Sequence, residues 1–369
     1  MSLQEKLSLL KTVGEEIIQV EELESLISKN ELFVAYDGFE PSGQVHIATG
    51  ILRTINVNKM IASGAHFKML VADWHAYLNN KMGGDMEKIQ TVGKYLIEVW
   101  KASGMKLDHV EFVWASEVVK DPKYWELVMK IAKTNAIKRF VRAAEIMGRA
   151  ESMDLTLAQL MYVAMQAADV FYLKARVTQL GMDQRKVNML AREIGPQLGF
   201  DKPIVVSHHM LLGLTQSSPS PSPSPAPSEA YERTERMKMS KSNPDSAIFM
   251  TDTTEEISRK IARAYCPEGV VEENPILEYC KYIIFESLDQ LGMDKITIER
   301  PEKFGGPVIL NSFQDLEEKY VAKEIHPQDL KNTVAALIDK LIEPVRKHFE
   351  TDPRAKELLE KVKSYQITR

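Results

Sequence analysis

The chain has 369 residues, of which 44% are hydrophobic and 27% charged, and its formal net charge is -5. This length predicts about two domains, and the acidic balance excludes a generic nucleic-acid coat protein, so RNA contacts require a local basic patch. Two cysteines, Cys266 and Cys280, exclude a disulfide framework and a four-ligand zinc site, and they fit a reducing compartment. Because signal, transit and membrane-spanning patterns are absent, we expect a cytoplasmic protein without a membrane partner.

The N-terminal part of the chain predicts alternating helices and strands. Residues 2–29 carry apolar side chains at roughly helical spacing, which predicts one helix. Short apolar runs predict buried parallel strands at 32–36, 67–72, 110–115 and 204–207. Helical patterns between them cover 46–61, 87–103, 122–149 and 156–175. This alternation predicts a doubly wound α/β fold, with a parallel sheet and helices on both faces.

A change in composition separates this part from the rest. From Ser217 to Ser228 the chain reads SSPSPSPSPAPS, and alternating proline excludes a helix or a central strand there. We expect an extended insertion. Beyond it, amphipathic spacing predicts helices at 276–287, 313–322, 327–349 and 353–365. These helices predict a second, all-helical domain.

The first motif that suggests chemistry is the segment Pro41 to His46, which reads PSGQVH. It follows a predicted strand and opens a predicted helix, so its backbone N–H groups and the helix dipole point towards a bound anion. Gly43 lies in the turn, and His46 is placed to donate a hydrogen bond to phosphate as charge develops. A tight turn with a surface histidine explains the same segment when it is considered alone.

The second motif is Lys238-Met239-Ser240-Lys241-Ser242, directly after the proline-rich run. Lysine ammonium groups are flexible point charges that suit phosphate. A loop that closes over a nucleotide can deliver them in the transition state, where their binding energy increases the rate. The alternative is a solvated basic turn, which the complete five-residue string disfavours.

Two further segments suggest a small polar ligand. Tyr162, Gln166 and Asp169 share one face of an otherwise apolar helix, and buried polar groups need partners. A bound amino acid could supply those partners, and so could an internal polar network between helices. In the loop at 181–186, Gly181 permits close backbone approach and Asp183 can accept from ribose hydroxyls. Gln184 could donate to and accept from a polar ligand, although this loop alone resembles many others.

In this order, the four segments resemble the tyrosyl-tRNA synthetases of archaeal and eukaryotic-cytosolic type, which are class I aminoacyl-tRNA synthetases. The resemblance runs from about Leu32 to the C-terminus and includes VADWHAYLN, MDQRKVNMLARE, AYCPEGVVEENP, RPEKFGG and IHPQDLKN. It implies a Rossmann-like catalytic domain, tyrosine–tRNA ligase activity and a homodimer. It also implies ATP with Mg²⁺ as a substrate, tRNA(Tyr) as the partner, no DNA partner and no tightly bound cofactor.

The resemblance assigns roles to individual residues. The tyrosine-binding residues would be Tyr36, Asp73, His75, Tyr162, Gln166, Asp169 and Gln184, with the substrate phenol between Tyr36 and Asp169. The ATP-binding residues would be Gly43, His46, Gly181, Asp183, Lys238, Met239, Ser240 and Lys241. Catalysis would rest on His46, Lys238 and Lys241. The tRNA-binding residues would be Arg142, Arg185, Lys186, His326 and Asp329, and residues 130–149 are locally basic. No metal ligands are expected.

The implied organisation is a helical segment at 1–30, a catalytic domain at 31–236, a loop and linker at 237–260, and an anticodon-binding domain at 261–369. One departure concerns the HIGH motif, in which Ala48 and Thr49 replace the glycine and the second histidine. His46 and the two lysines would then carry more of the phosphate chemistry. The alternatives are a tryptophanyl-tRNA synthetase, a nucleotidylyltransferase and a catalytically inactive RNA-binding relative. Tyr36 and Asp169 favour tyrosine over tryptophan, and no editing domain is expected.

Overall fold

The computed structural model describes residues 1–147, 154–215, 239 and 244–365. The predicted insertion at 217–228 and three predicted site residues, Lys238, Ser240 and Lys241, lie outside the described residues. Within the described ranges, no helix is both long and apolar enough to cross a membrane.

A six-stranded sheet forms the centre of the N-terminal part. Its strands are β1 Gly14–Ile18, β2 Phe33–Phe39, β3 Ala65–Val71, β4 Val110–Trp114, β5 Val177–Thr178 and β6 Ile204–His208. The order across the sheet is β1-β6-β5-β2-β3-β4, and every neighbouring pair is parallel except the antiparallel pair of β1 and β6. The predicted parallel sheet is therefore confirmed, and all four predicted strands belong to it.

Alternate residues of the central strands face opposite sides of the sheet. Ala35 and Phe67 belong to one buried apolar cluster, whereas Tyr36 and Leu70 belong to a second. This alternation follows from the two-residue period of a strand. It gives the sheet two covered faces, and it directs the Tyr36 side chain towards the face that is covered by the helix at 157–172.

Sixteen α-helices lie within the described residues. They are α1 Leu3–Val13, α2 Val20–Ser28, α3 Arg53–Ala62, α4 Asp73–Leu78, α5 Met86–Ala102, α6 Ala115–Val118, α7 Pro122–Thr134, α8 Ile137–Ala143, α9 Leu157–Tyr172, α10 Arg185–Ile194, α11 Thr254–Arg263, α12 Pro275–Tyr279, α13 Leu288–Leu291, α14 Phe313–Val321, α15 Pro327–Thr351 and α16 Pro353–Ser364. The single helix predicted at 122–149 is wrong, because Asn135 adopts an extended conformation that ends α7.

The single helix predicted over residues 2–29 is also wrong. It is divided by β1, which pairs with β6 so that Ile17 lies opposite Val206. Gln19 then adopts a left-handed conformation, with φ of 58°, before α2 begins. The buried guanidinium of Arg192 holds this turn, because it donates to both carboxylate oxygens of Glu22 at 2.8 and 3.0 Å and to Gln19 Oε1 at 2.9 Å. Tertiary pairing therefore overrides the helical spacing.

The C-terminal region is helical, as predicted, and the helices at 313–322, 327–349 and 353–365 correspond to α14, α15 and α16. It also contains an antiparallel ribbon of β7 Ile296–Ile298 and β8 Val308–Leu310, which the prediction of an all-helical domain missed. Strands of three residues are too short for a two-residue period to be recognised. The predicted boundary at 260–261 falls inside α11 and remains a prediction.

His209 joins the N-terminal and C-terminal parts of the chain. Its Nδ1 lies 3.0 Å from Glu15 Oε2 and its Nε2 lies 3.1 Å from Glu278 Oε2, while its ring stacks on Tyr282 with centroids 4.3 Å apart. Burial lowers the pKa of His209, but the two carboxylates outweigh burial and raise this pKa to about 9. His209 is therefore a positively charged imidazolium at neutral pH, and its ion pairs with Glu15 and Glu278 connect the two parts of the chain.

The free energy of unfolding is expected to fall as the pH rises from 6.5 through 9. The folded state holds the His209 proton more tightly than the unfolded chain, so the contribution is complete below pH 6.5 and is lost through the folded pKa. We expect a loss of about 1–2 kcal/mol, because the partly exposed Glu15 is screened by solvent. Urea unfolding should be measured at several pH values across this range. The free energy of unfolding should depend less on pH in His209→Gln than in the wild type, whereas His66→Gln should keep the wild-type dependence.

Candidate active site

The strand order reverses between β2 and β5, and ligands of doubly wound sheets bind outside the carboxyl ends of the strands at such a point. β2 ends at Phe39 and continues into the segment of His46, while β5 ends at Thr178 and continues into the loop of Gly181. The two segments lie far apart in sequence, and the sheet brings both to this edge.

The buried carboxylate of Asp169 on α9 is the centre of a polar cluster on one side of this point. Tyr124 donates its hydroxyl hydrogen bond to Asp169 Oδ1 at 2.8 Å, and His75 Nε2 lies 3.0 Å from Oδ2. Burial lowers the pKa of His75, but the Asp169 carboxylate outweighs it, so the net shift is upward. Burial and then Asp169 raise the pKa of Tyr36 well above its usual value, so this phenol remains a donor.

The remaining predicted residues of α9 lie beside this cluster. Tyr162 presents its ring edge-on to His75, with centroids 4.9 Å apart, and burial followed by the charge of Glu40 raises its pKa. Gln166 Nε2 donates to Gln184 Oε1 at 3.0 Å, and Gln184 Nε2 donates to the Ile146 carbonyl at 3.1 Å. The structure therefore brings the α9 residues and the loop of Gln184 together, as the sequence predicted.

Asp73 starts α4 and is fully buried. Its Oδ1 accepts from the backbone N–H groups of Trp74 and Ser116 at 2.9 and 2.8 Å, and its Oδ2 accepts from Gln90 Nε2 at 3.1 Å. These bonds tie the carboxyl ends of β3 and β4 to α5, so Asp73 shapes the wall of the site. Its predicted contact with substrate remains a prediction.

The segment after β2 lines a cavity of about 190 Å³. The cavity is lined by Phe39, Glu40, Pro41, Ser42, Gly43, Val45, His46, Thr49, Val92 and Leu96. His46 directly precedes the first helical turn, whose N–H groups at Thr49 and Gly50 bond to the His46 carbonyl at 3.0 and 2.9 Å. The predicted residues Gly43 and His46 therefore share one cleft, with Thr49 in place of the second histidine.

The chain downstream of Lys241 is paired with this segment. Ile47 donates its N–H to the Ile248 carbonyl at 2.8 Å, and Met250 donates to the Val45 carbonyl at 2.8 Å. A Cβ at Gly50 would lie 2.4 Å from Met250 Sδ, so a larger residue would force the Met250 side chain to shift. At the other end, Leu214 donates its N–H to the Ser246 carbonyl at 2.9 Å. The described residues on either side of 216–243 therefore meet at one place beside the cleft, and Met239 is buried.

Gly181 and Asp183 follow β5 on the other side of the switch point. A Cβ at Gly181 would lie 2.5 Å from Asp183 Oδ1, 2.6 Å from Met210 Sδ and 3.4 Å from His208 Nε2. A side chain at this position would displace Asp183 and Met210, so glycine keeps their polar atoms close to the backbone. The predicted pair is adjacent in the structure, and His208 joins it from β6.

Sequence reasoning missed a buried cluster beneath the cleft. Arg53 Nη1 lies 2.7 Å from Asp37 Oδ2 and 2.8 Å from His208 Nδ1, and Gln179 Nε2 also lies 2.8 Å from that nitrogen. Burial raises the pKa of Asp37 to about 7, although Arg53 opposes this shift. The available signal was Asp37 itself, which is an acid directly after the apolar run at 32–36. Tyr124 and Glu40 were missed as well.

The predicted tRNA-binding residues occupy two separate helix starts and one exposed helix. Arg185 begins α10 and donates to Glu16 at 2.7 and 3.1 Å, with the exposed Lys186 beside it. His326 caps α15, where its Nδ1 accepts from the Gln328 N–H at 3.1 Å, and Asp329 lies in the first turn. Arg142 is exposed on α8. In the predicted basic stretch, Lys130 and Arg139 are paired with Glu126 and Glu193, and Arg149 lies outside the described residues.

Comparison with known proteins identifies relatives over nearly the whole chain. The family described as tRNA synthetases class I (W and Y) matches residues 28–343. Tyrosine--tRNA ligase 1, cytoplasmic, of Arabidopsis thaliana is 48% identical over 369 residues, which cover 99% of this chain and 90% of that protein.

Two solved structures share the fold at substantial identity. The tyrosyl-tRNA synthetase of Pyrococcus horikoshii, complexed with L-tyrosine, superposes with a TM-score of 0.89 at 36% identity and covers 98% of this chain and 100% of that one. The Leishmania major tyrosyl-tRNA synthetase, in complex with tyrosinol, gives a TM-score of 0.87 at 44% identity and covers 99% of this chain. Our chain spans 53% of that Leishmania chain, or about half its length.

Proposed function

The chain belongs to the class I tRNA synthetases of the tryptophan and tyrosine group, among the tyrosine–tRNA ligases, and we propose that it activates L-tyrosine with ATP and charges tRNA(Tyr). The observation that carries this proposal is the buried set of Tyr36, Tyr124 and His75 around Asp169. This buried set offers both a donor and an acceptor to a phenol hydroxyl.

In the proposed first step, the tyrosine carboxylate attacks the α-phosphorus of ATP, which forms tyrosyl-adenylate and releases pyrophosphate. The terminal ribose hydroxyl of tRNA then attacks the activated carbonyl and releases AMP. The nucleophile of each step belongs to a substrate, so the protein has to position the reactants and stabilise charge. This requirement matches the amides, imidazoles and carboxylates that the described residues bring to the site.

Selection of tyrosine over phenylalanine follows from burial. When phenylalanine is bound, the polar groups around Asp169 lose the hydroxyl that would satisfy them. An unsatisfied buried polar group costs about 1–3 kcal/mol. We assign Tyr36 and Asp169 to the phenol, Tyr162, Gln166 and Gln184 to the amino-acid end, and His75 and Asp73 to the pocket wall. An apolar substrate such as tryptophan offers an indole N–H and leaves the donors of this set unmatched.

We assign the triphosphate to the cleft of Gly43 and His46, and the ribose to Gly181 and Asp183. Lys238 and Lys241 are assigned to the phosphates by their sequence motif, together with Met239 and Ser240. We further propose that ATP enters with Mg²⁺, because this ion retains phosphate and water ligands and needs few protein ligands. Among the described residues, no group of three His, Cys, Asp or Glu side chains could hold a metal ion.

ATP–pyrophosphate exchange without tRNA tests the proposal, with the amino acid varied at fixed Mg-ATP. Exchange that depends on tyrosine and is weak with phenylalanine and tryptophan is the expected result. Exchange with tryptophan would overturn the assignment of Tyr36 and Asp169. If a folded sample that binds ATP gave no exchange with any amino acid, the proposal would be replaced by the alternative of a catalytically inactive RNA-binding relative.

The C-terminal region offers an exposed aromatic side chain for tRNA. Phe304, in the loop between β7 and β8, is 62% exposed, and Lys303 Nζ lies 4.9 Å above its ring. Arg300 donates to the Gly306 carbonyl at 2.6 Å and to the carbonyl of Glu324, two residues before His326. These bonds place the loop near the start of α15, so we propose that Phe304, His326 and Asp329 bind unpaired bases of tRNA.

Phe304→Ala is expected to lower kcat/KM for tRNA charging about tenfold, because stacking of a base on an aromatic ring contributes about 1–3 kcal/mol. Tyrosine-dependent pyrophosphate exchange should be unchanged, since the loop is not part of the adenylation site. Ile309→Ala is the matched control, because Ile309 is 47% exposed on the adjacent strand and has no aromatic ring. Equal losses in both variants, or none in Phe304→Ala, would exclude base stacking here.

We also propose that the enzyme is a cytoplasmic homodimer. The plant relative is named as cytoplasmic. Ile137 and Leu157 are 71% and 76% exposed at the starts of α8 and α9, and Met129 on α7 is 55% exposed. These helices pack on one another, so the three side chains form an apolar surface suited to a second copy. Sedimentation velocity should give a dimer for the wild type and a monomer for Ile137→Asp with Leu157→Asp.

A further inference from the structure

The tautomer of His208 is fixed by its neighbours. Arg53 Nη1 and Gln179 Nε2 both lie 2.8 Å from His208 Nδ1. A guanidinium has only N–H donors, so the nitrogen that faces it has to accept. His208 therefore carries its proton on Nε2, and this nitrogen is the donor. Burial, followed by the positive charge of Arg53, lowers the pKa of His208 well below its usual value, so the ring stays neutral.

The donor nitrogen faces the loop that follows β5. His208 forms a parallel β-bridge with Gly181, and the backbone N–H of His208 donates to the Leu180 carbonyl at 2.9 Å. His208 Nε2 and Asp183 Oδ1 both lie within 3.4 Å of the point where a Cβ of Gly181 would stand. One donor and one acceptor therefore flank the same backbone position, and the residue there has no side chain.

We propose that His208 is a further nucleotide-binding residue, which donates its Nε2–H to a ribose hydroxyl oxygen of ATP while Asp183 accepts from the ribose. This inference rests on the proposed ATP-dependent function. A ribose offers two vicinal hydroxyls, each of which both donates and accepts, so a donor and an acceptor on either side of Gly181 match it. Met210 Sδ lies over the same point, and its flexible thioether chain has to rotate away when the ribose binds.

Asp37, Arg53 and Gln179 act through His208 as positioning residues. They hold the ring from the Nδ1 side, inside a buried cluster that does not reach the substrate directly. The hydrogen bond at one ring nitrogen of a histidine determines whether the other nitrogen donates or accepts. The cluster thus has a purpose beyond stability, since it keeps one N–H aimed at the nucleotide.

Two substitutions of similar size separate the two ring nitrogens. His208→Asn keeps an amide near the Nδ1 position, which can accept from Arg53, and removes the donor at Nε2. His208→Gln reaches the Nε2 position and keeps a donor there. We expect His208→Asn to raise KM for ATP about tenfold with KM for tyrosine unchanged, because one hydrogen bond is lost. His208→Gln should stay within about threefold of the wild type.

Deoxynucleotides test the contact itself. Pyrophosphate exchange is measured with ATP, 2′-deoxyATP and 3′-deoxyATP in the wild type and in His208→Asn. The preference of the wild type for ATP over one deoxynucleotide should shrink about tenfold in the variant, because both changes remove the same hydrogen bond. If His208→Asn weakens all three nucleotides equally, His208 has only a structural role and the inference is overturned.

Direct binding keeps this inference separate from the proposed activity. Calorimetric titration with ATP and with the two deoxynucleotides needs no exchange reaction. If the wild type shows no tyrosine-dependent exchange, the proposed activity fails, and a titration in which His208→Asn loses its ribose preference still supports the ribose contact. A wild type that binds ATP and both deoxynucleotides equally would overturn the ribose contact even when exchange is normal.

Discussion

Replacing Asp169 with alanine is expected to lower kcat/KM for tyrosine in pyrophosphate exchange by at least about 100-fold. The Tyr124 hydroxyl and the His75 ring, at 2.8 and 3.0 Å from the carboxylate, would both lose their buried partner. The substrate phenol would lose its acceptor at the same time. The unpaired Tyr124 and His75 lower the stability of the variant with or without substrate. The loss in kcat/KM comes from the phenol, because its lost bond to a charged acceptor and its unsatisfied buried hydroxyl each cost about 1–3 kcal/mol.

Affinity for ATP should remain within about twofold in Asp169→Ala, because the carboxylate is assigned to the phenol of tyrosine and not to ATP. Loss of a hydrogen bond to ATP would instead weaken ATP binding about tenfold. Tyr124→Phe is the matched control. It removes the hydroxyl that holds Oδ1 and keeps the carboxylate, so a smaller loss for tyrosine is expected. Melting temperatures of both variants separate a binding defect from unfolding. Tyrosine affinity that is unchanged in a folded Asp169→Ala protein would refute the phenol assignment.

Arg53→Met is expected to lower the free energy of unfolding by about 3–5 kcal/mol, because it leaves a buried carboxylate without its ionic partner. Arg53 and Asp37 are both buried, and their closest atoms are 2.7 Å apart. The side chain of methionine fills similar space, so the effect reports charge rather than lost volume. Urea denaturation of the purified variant measures the loss.

The pH dependence of this loss identifies its cause. The pKa of Asp37 is already raised to about 7, and removal of Arg53 raises it further. Asp37 is therefore neutral at pH 5. The variant should lose less free energy of unfolding at pH 5 than at pH 8. The double variant Asp37→Leu with Arg53→Met should recover most of the stability, since no charge remains buried. A loss below about 1 kcal/mol at both pH values would mean that water reaches Asp37.

Periodicity and local motifs predicted much of the candidate site. Tyr162, Gln166 and Asp169 were placed on one helix face by their spacing alone, and α9 presents all three as buried side chains. The helix start at His46 was predicted from the order of strand, glycine and helix. The loop of Gly181 was predicted from its residue types alone, because the two-residue strand β5 before it was not predicted. These features depend on residues that are close in sequence, where the period of a helix or strand is decisive.

The partners of these residues could not be predicted in the same way. Tyr124 reaches Asp169 across 45 positions, and His208 reaches Arg53 across 155. Only the packing of helices on the sheet brings such pairs together. β1 was missed for a related reason, because its pairing with β6 satisfies a segment whose spacing is compatible with a helix. Pairing between distant segments, rather than local preference, determines these parts.

The hydrogen bond from Leu214 to Ser246 closes the chain on itself at the base of the lysine motif. Once the two ends of a segment are fixed together, the entropy of the segment changes only with the logarithm of its length, by about 0.6 kcal/mol for each doubling. A change in the number of residues between these two ends is therefore expected to have little effect on the free energy of folding. This position is also the natural place for an engineered tag or reporter domain, provided that the lysine motif keeps its distance from Ser246.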